Sequence, residues 1–138
     1  MKVKAEEAAA EVAQLRKALD MASASARHDL LTGALNRKGL EEALEREVAR
    51  AARQNTALCI AFLDIDDFKS INDTHGHSFG DDALSHLAQV ARESMRPQDT
   101  LARFGGEEFV ILMPDTSLEE GVQTIVRLQR ALTQRFFV

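Results

Sequence analysis

The chain carries a single cysteine, two prolines and seven glycines in 138 residues. One thiol cannot close an internal disulfide, and Cys59 sits in the apolar run Ala57 to Leu63, where the expected role is a small buried hydrophobe without chemistry of its own. A chain this poor in proline and glycine is neither a collagen, nor a long disordered tract, nor a low-complexity sequence. Its 45% hydrophobic and 28% charged residues are the balance of one ordinary domain. Long apolar runs are missing too. None approaches the roughly 20 residues needed to cross a bilayer, and the N-terminus has no apolar leader core, so neither secretion nor direct membrane insertion is expected. The expected location is cytoplasmic, with any membrane link left to a parent protein. Basic residues are in the minority: 17 Lys and Arg against 22 Asp and Glu give a net charge of −5, which argues against a nucleic-acid-binding face. A phosphate-bearing ligand would need metal ions.

What is present begins with a helix. Residues 1–26 hold neither glycine nor proline, and Ala5, Ala8, Val12, Leu15, Leu19, Ala22 and Ala26 recur at alternating three and four spacing. Flanked by Glu6, Glu7, Glu11, Arg16 and Lys17, this seam predicts a parallel coiled coil, feebly associating because it is alanine-rich; a solvated linking helix is the competing reading. After the break Leu31-Thr32-Gly33-Ala34, Asn36 is placed to cap a helix with the stripe Leu40, Leu44, Val48 and Ala51. The apolar run ending at Asp64 predicts a strand buried on both faces and central in its sheet. Beyond a polar stretch, Leu84, Leu87, Ala88, Ala91 and Met95 mark another helix, closed by Pro97. Leu118, Val122, Ile125 and Leu132 mark a last one, with Ser117 and Glu120 spaced as a capping box. Between them Thr100–Phe104 and Phe109–Met113 read as a hairpin across Gly105-Gly106-Glu107-Glu108, and Phe136-Phe137-Val138 as the start of a further strand. The order predicts an α/β (α+β) fold of ferredoxin-like character, a mainly antiparallel sheet with flanking helices behind an N-terminal helix.

Six aspartates, Asp64, Asp66, Asp67, Asp73, Asp81 and Asp82, fall directly after the first strand. Charge of one sign gathered at a strand end calls for a counterion, and hard divalent cations take carboxylates, carbonyls, water and phosphate oxygens. Asp64 is well placed as such a ligand. The hairpin tip offers the second carboxylate: Gly105 and Gly106 permit positive φ and close approach of a phosphate, while Glu107 and Glu108 project nearby. Composition alone leaves open that the aspartates are solvated loop and cap residues and that Gly-Gly is only a turn. His75 and His77 form an H-x-H pair, but no further Cys or His stands near enough in sequence to suggest zinc.

Taken together these segments resemble the GGDEF family of diguanylate cyclases. Gly105-Gly106-Glu107-Glu108-Phe109 is its signature with Glu in third place. Asp29-Leu30-Leu31-Thr32-Gly33-Ala34-Leu35-Asn36-Arg37 resembles the family's opening block, with Ala34 for the usual Leu. Asp64-Ile65-Asp66-Asp67-Phe68-Lys69-Ser70-Ile71-Asn72-Asp73 and Gly76-His77-Ser78-Phe79-Gly80-Asp81 resemble two more blocks in the same order. The resemblance implies a fold like nucleotidyl cyclase cores and polymerase palms, in which Asp64, the Ile65 carbonyl and Glu107 hold Mg²⁺ (or Mn²⁺) on a triphosphate. Asn72 and Asp81 would contact guanine, with its amide and carboxylate partners. Phe68, Lys69, Gly105 and Gly106 would lie near the phosphates, and Glu108 would serve acid–base chemistry or the metal. It also implies condensation of two GTP into cyclic di-GMP, a bacterial second messenger, across a homodimer spaced by the helix of residues 1–26, with residues 27–138 as the GGDEF domain. Arg96-Pro97-Gln98-Asp99 has the family's R-x-x-D form, five residues before Gly105, so Arg96 and Asp99 are expected to bind cyclic di-GMP as an inhibitory product. Arg103, near the turn, stays ambiguous.

Family members continue with further strands that carry basic residues for the triphosphate. A chain ending at Val138 is thus expected to be a fragment or a truncation, with an open sheet edge that invites strand exchange. The competing function is a noncatalytic GTP or cyclic di-GMP sensor.

Overall fold

The computed structural model describes the backbone of residues 2–65 and 68–135, with the side chains in that range except those at 2, 3, 23–25, 68–71 and 77. Its elements run α1 (Lys2–Arg27), α2 (Arg37–Gln54), β1 (Leu58–Asp64), α3 (Phe68–His75), α4 (His77–Ser94), β2 (Thr100–Arg103), β3 (Glu108–Pro114) and α5 (Leu118–Arg135). The strands form one antiparallel sheet in the order β1-β3-β2, an α+β arrangement with helices on both faces. Phe136-Phe137-Val138, Asp66 and Asp67 lie outside the described residues.

β3 feeds two cores at once, because alternate side chains of a strand leave opposite faces. Phe109, Ile111 and Met113 meet Leu84, Leu87, Val90, Ala91 and Leu128 of α4 and α5, while Val110 and Leu112 meet Leu40 and Ala43 of α2 and Ala102 of β2. Side chains such as Phe109 and Ile111, fully buried, contribute about 1.5–3 kcal/mol each. Among the described strands β3 is the middle one and β1 stands beside it at the end of the order, so there the expectation that the run before Asp64 is central is corrected. β1 alternates half-buried and exposed positions: Cys59, Ala61 and Leu63 pack on the core, whereas Ile60 and Phe62 leave the other face and Phe62 stays 77% exposed. An unbroken apolar run does not say how many neighbours a strand has. Within the polar stretch after Asp64 the chain also forms a helix, α3, which carries too few apolar residues for a stripe to show. Gly76, at φ +89, turns the chain from α3 into α4.

The caps are as the sequence predicts. Asn36 accepts from Gly39 N at 2.9 Å, and Ser117 and Glu120 exchange bonds, Ser117 N to Glu120 Oε1 at 3.1 Å and Glu120 N to Ser117 Oγ at 3.2 Å. On α2 the predicted stripe fades toward its end, with Leu40 buried and Val48 half exposed. The seam of α1 stands largely clear of the other described residues: Val12, Leu15 and Leu19 are 47%, 64% and 69% exposed. Its last turn, by contrast, is spliced onto α2. Asn36 donates from Nδ2 to Ala26 O and from its backbone to Arg27 O, both at 2.8 Å, and Arg27 Nε meets Glu42 Oε2 at 2.6 Å. Gly39 is what lets the Arg27 carbonyl come so near, since a Cβ there would lie 2.4 Å from that oxygen.

A second close approach fixes α5 on β1. A Cβ on Gly121 would stand 2.3 Å from Cys59 Sγ. Overpacking costs about 1–3 kcal/mol, and Ala gains roughly 0.8–1.0 kcal/mol over Gly within a helix. Gly121→Ala is therefore expected to be neutral to about 2 kcal/mol destabilising in urea unfolding. In a Cys59→Ala background the same change should become stabilising, a coupling that a double-mutant cycle reads directly.

Candidate functional site

Strand register brings the acidic residues together. In the β1–β3 ladder Asp64 stands opposite Glu108, and Ile65 N donates to Glu107 O at 3.4 Å. The end of β1, the start of β3 and the turn between β2 and β3 thus meet at one corner of the sheet. The turn closes through Phe104 N and Gly105 N, which donate to Glu108 O at 2.8 and 3.3 Å. Neither Gly105 nor Gly106 takes positive φ, so that expectation is corrected: the glycines supply space, not handedness. A Cβ on Gly105 would lie 2.5 Å from Glu108 Oε1, so glycine allows that carboxylate to curl over the turn. Around Gly106 nothing among the described residues stands within 4 Å of such a Cβ, so that side of the turn has room for a ligand.

Among the described residues the donors at this corner are oxygens: the Asp64, Glu107 and Glu108 carboxylates and the Ile65 carbonyl. Among the described residues no group of three His, Cys, Asp or Glu side chains forms a metal cage. Such a set fits Mg²⁺ or Mn²⁺, which take a few protein oxygens and leave the rest to water and phosphate, and it does not fit a tetrahedral zinc site.

Asn72 lies on α3 and Asp81 on α4, adjoining helices joined at Gly76. Among the described residues Asn72 Oδ1 is buried without a hydrogen-bond partner, and a buried acceptor left so costs roughly 1–3 kcal/mol until a donor arrives. Asp81 is exposed. Phe68 and Lys69 fall in the first turn of α3, and their side chains lie outside the described ones.

Arg96 and Asp99 are brought onto each other. Arg96 N donates to Asp99 Oδ2 at 2.9 Å, and Arg96 Nε stands 3.7 Å from the same oxygen. The guanidinium also donates to Thr116 Oγ1, between β3 and α5, and to Pro114 O at 3.4 Å. Asp99 Oδ1 is buried without a partner among the described residues, so one acceptor of the pair is left over.

Comparison with known proteins bears on this corner directly. The profile of the family described as "Diguanylate cyclase, GGDEF domain" matches residues 26–136. The chain belongs to the GGDEF family. Diguanylate cyclase DgcP of Pseudomonas aeruginosa is 53% identical over 104 residues, which are 75% of this chain and 16% of that protein. Diguanylate cyclase DosC of Escherichia coli K12 is 40% identical over 101 residues, 73% of this chain and 22% of that one. The chain thus spans only a small part of these curated relatives. Among solved structures, the coiled coil and GGDEF domain of DgcB from Caulobacter crescentus, in complex with c-di-GMP, superposes with a TM-score of 0.94 at 32% identity, covering 99% of this chain and 71% of that one. The active GGEEF domain of a diguanylate cyclase from Vibrio cholerae superposes at 0.72 with 32% identity, covering 75% of this chain and 66% of that one.

The opening block of this GGDEF domain is tied to the turn by contacts that sequence reasoning did not find. Asp29 Oδ2 accepts from Thr32 N at 3.0 Å and from Thr32 Oγ1 at 2.7 Å, and both Asp29 oxygens accept from Arg103 Nη1, at 3.2 and 3.3 Å. Arg37 lies over the Phe104 ring, 4.2 Å from its centroid. Leu35 adds a short parallel bridge beside β2, with Leu35 N to Leu101 O at 3.0 Å and Arg103 N to Leu35 O at 2.7 Å. The block reads in sequence as a capped break, and no local pattern points to partners so far along the chain.

Burial raises the Asp29 carboxyl, but the Thr32 hydrogen bonds and the Arg103 guanidinium outweigh it and hold the group below the ordinary carboxylate range. A depressed native pKa adds stability above the unfolded value, and that stability is lost as pH falls through the native one. The stability gap between wild type and Asp29→Asn should therefore be full at neutral pH and shrink below about pH 4 in denaturant unfolding across a pH series.

Proposed function

We propose that this GGDEF domain is the catalytic module of a diguanylate cyclase, condensing two GTP molecules into cyclic di-GMP and two pyrophosphates. The observation that carries the reading is the corner where Asp64 and Glu108 pair across β1 and β3, with Glu107 beside Ile65. Each bond-forming step joins the 3′-oxygen of one GTP to the α-phosphorus of the other and breaks the bond from that phosphorus to the pyrophosphate oxygen. Asp64, Glu107 and the Ile65 carbonyl would hold Mg²⁺ or Mn²⁺, which when bound lowers the hydroxyl pKa and balances charge on the pyrophosphate. Glu108, curled over Gly105, is the candidate proton acceptor. Gly106 leaves room for phosphate, with Gly105, Phe68 and Lys69 assigned to the same end of the nucleotide. Asn72 Oδ1, buried and without a partner among the described residues, and the exposed Asp81 are matched to the donor groups of guanine.

One domain binds one GTP in this scheme, so two copies must face each other. We assign that pairing to α1, in residues 1–26, whose exposed seam suits a parallel helix pair, and the chemistry to residues 27–138. Retention of Asp64, Glu107, Asn72 and Asp81 supports the enzyme over a noncatalytic sensor. Among the described residues no helix is long and apolar enough to cross a membrane.

Glu107→Ala and Asp64→Asn should each abolish cyclic di-GMP synthesis by the full-length protein. Thermal melts of these variants should stay level or rise, because like charges at an empty site are relieved. Calorimetry should show GTP binding that requires Mg²⁺ or Mn²⁺ and exceeds ATP binding. Activity retained in both variants, or equal affinity for ATP, would overturn the assignment.

Arg96 and Asp99 are proposed as a separate site for the product. Asp99 Oδ1 offers the buried acceptor and Arg96 the cation. Removing a charge-assisted contact costs roughly 1.5–3 kcal/mol, about tenfold or more in binding. Arg96→Ala should therefore raise the inhibition constant for cyclic di-GMP and leave the KM for GTP nearly unchanged, as initial rates at several product concentrations will read.

A further inference from the structure

Arg103 spans two parts of the molecule. Nη1 reaches back to both Asp29 oxygens, and Nη2 donates to Gly106 O at 2.8 Å. The Arg103 and Asp29 side chains are only about a fifth exposed, at 20% and 21%, so water screens the pair less than it does a surface pair. Asp29 is itself held by Thr32, so the anchor is fixed before the arginine meets it. Among the described residues Gly106 has no neighbour that a side chain there would touch, and glycine does not stiffen the backbone by itself. From outside the turn, the other bond described to it is the longer Ile65 N to Glu107 O contact, at 3.4 Å.

We propose that Arg103 is a positioning residue: braced by Asp29, its guanidinium holds the Gly106 carbonyl and so fixes the neighbouring Glu107 carboxylate against Asp64. The inference rests on the cyclase reading for its effect on rate, but its effect on the turn stands independently. Arginine suits the task because its planar fork serves two acceptors in fixed directions, whereas a lysine amine is a single point charge. Lysine at this position keeps the ion pair with Asp29 and gives up the grip on Gly106. That difference separates a brace from a simple stabilising pair.

The test is Arg103→Lys in the full-length protein, beside Arg103→Ala. Three readouts are taken: thermal melting, amide hydrogen exchange at Ile65, Phe104 and Gly105, and kcat and KM for GTP. Arg103→Lys is expected to melt near wild type, exchange faster at those amides, and lose roughly tenfold to a hundredfold in kcat with KM changed little. Arg103→Ala should lose stability as well. Unchanged exchange in a folded Arg103→Lys would overturn the brace. Faster exchange with wild-type kcat would overturn its role in positioning Glu107. A wild-type protein without cyclase activity would instead overturn the proposed function, and the exchange data would still decide the brace.

Discussion

Everything at the site depends on the register of β1 against β3. The ladder from Leu58 opposite Pro114 to Asp64 opposite Glu108 ends where the two strands run out, so their terminal carboxylates are neighbours. A slip of one residue would do two things at once. It would send Cys59, Ala61 and Leu63 to the wrong face of the sheet, and it would take Asp64 away from Glu108. The apolar packing that keeps Phe109, Ile111 and Met113 against α4 and α5 therefore also sets the geometry of the acidic corner. Core and site are two readouts of one alignment.

The corner gathers like charges, and such a gathering persists only if the fold holds it or a counterion joins it. The backbone does much of the holding here. Phe104 N, Gly105 N and Ile65 N all donate to carbonyls of Glu107 or Glu108, so the residues bearing the charges are fastened by their main chains while their carboxylates stay available. The same division of labour appears at Asn72, whose carbonyl accepts from Gly76 N at 2.7 Å while its side-chain oxygen has no partner among the described residues. Polar groups left unsatisfied in a folded chain mark where a ligand is expected to complete the structure.

Local signals carried far in this sequence. The Asn36 cap, the Ser117 and Glu120 box, the α4 stripe and the Gly105 hairpin all follow from spacings within a few residues, and each is found. The misses have two physical origins, partners distant in sequence and a local pattern too sparse to read. Whether β1 or β3 is central is a matter of sheet order, which two similar apolar runs cannot announce. α3 has too few apolar residues to display a period. The Asp29 and Arg103 pair joins residues 74 apart in sequence, and the positive φ expected of Gly105 gave way to a need for space that only the Glu108 side chain reveals. The strand end at Asp64 and the glycine turn already suggested a shared corner, and the family motifs name the same residues because they record such distant partners together.

The splice between α1 and α2 turns α1 into a lever. With Ala26 and Arg27 carbonyls fastened to Asn36, and Gly39 admitting the Arg27 oxygen without a gap, there is no slack at the fulcrum. A helix of 26 residues is about 39 Å long, so a tilt of about 5° at that joint sweeps the far end through roughly 3 Å. Run in reverse, a displacement of that size imposed on the far end arrives at the domain as a small rotation. It reaches the segment that carries Leu35 beside β2, Arg37 on Phe104 and Asp29 on Arg103 with little of it absorbed along the way.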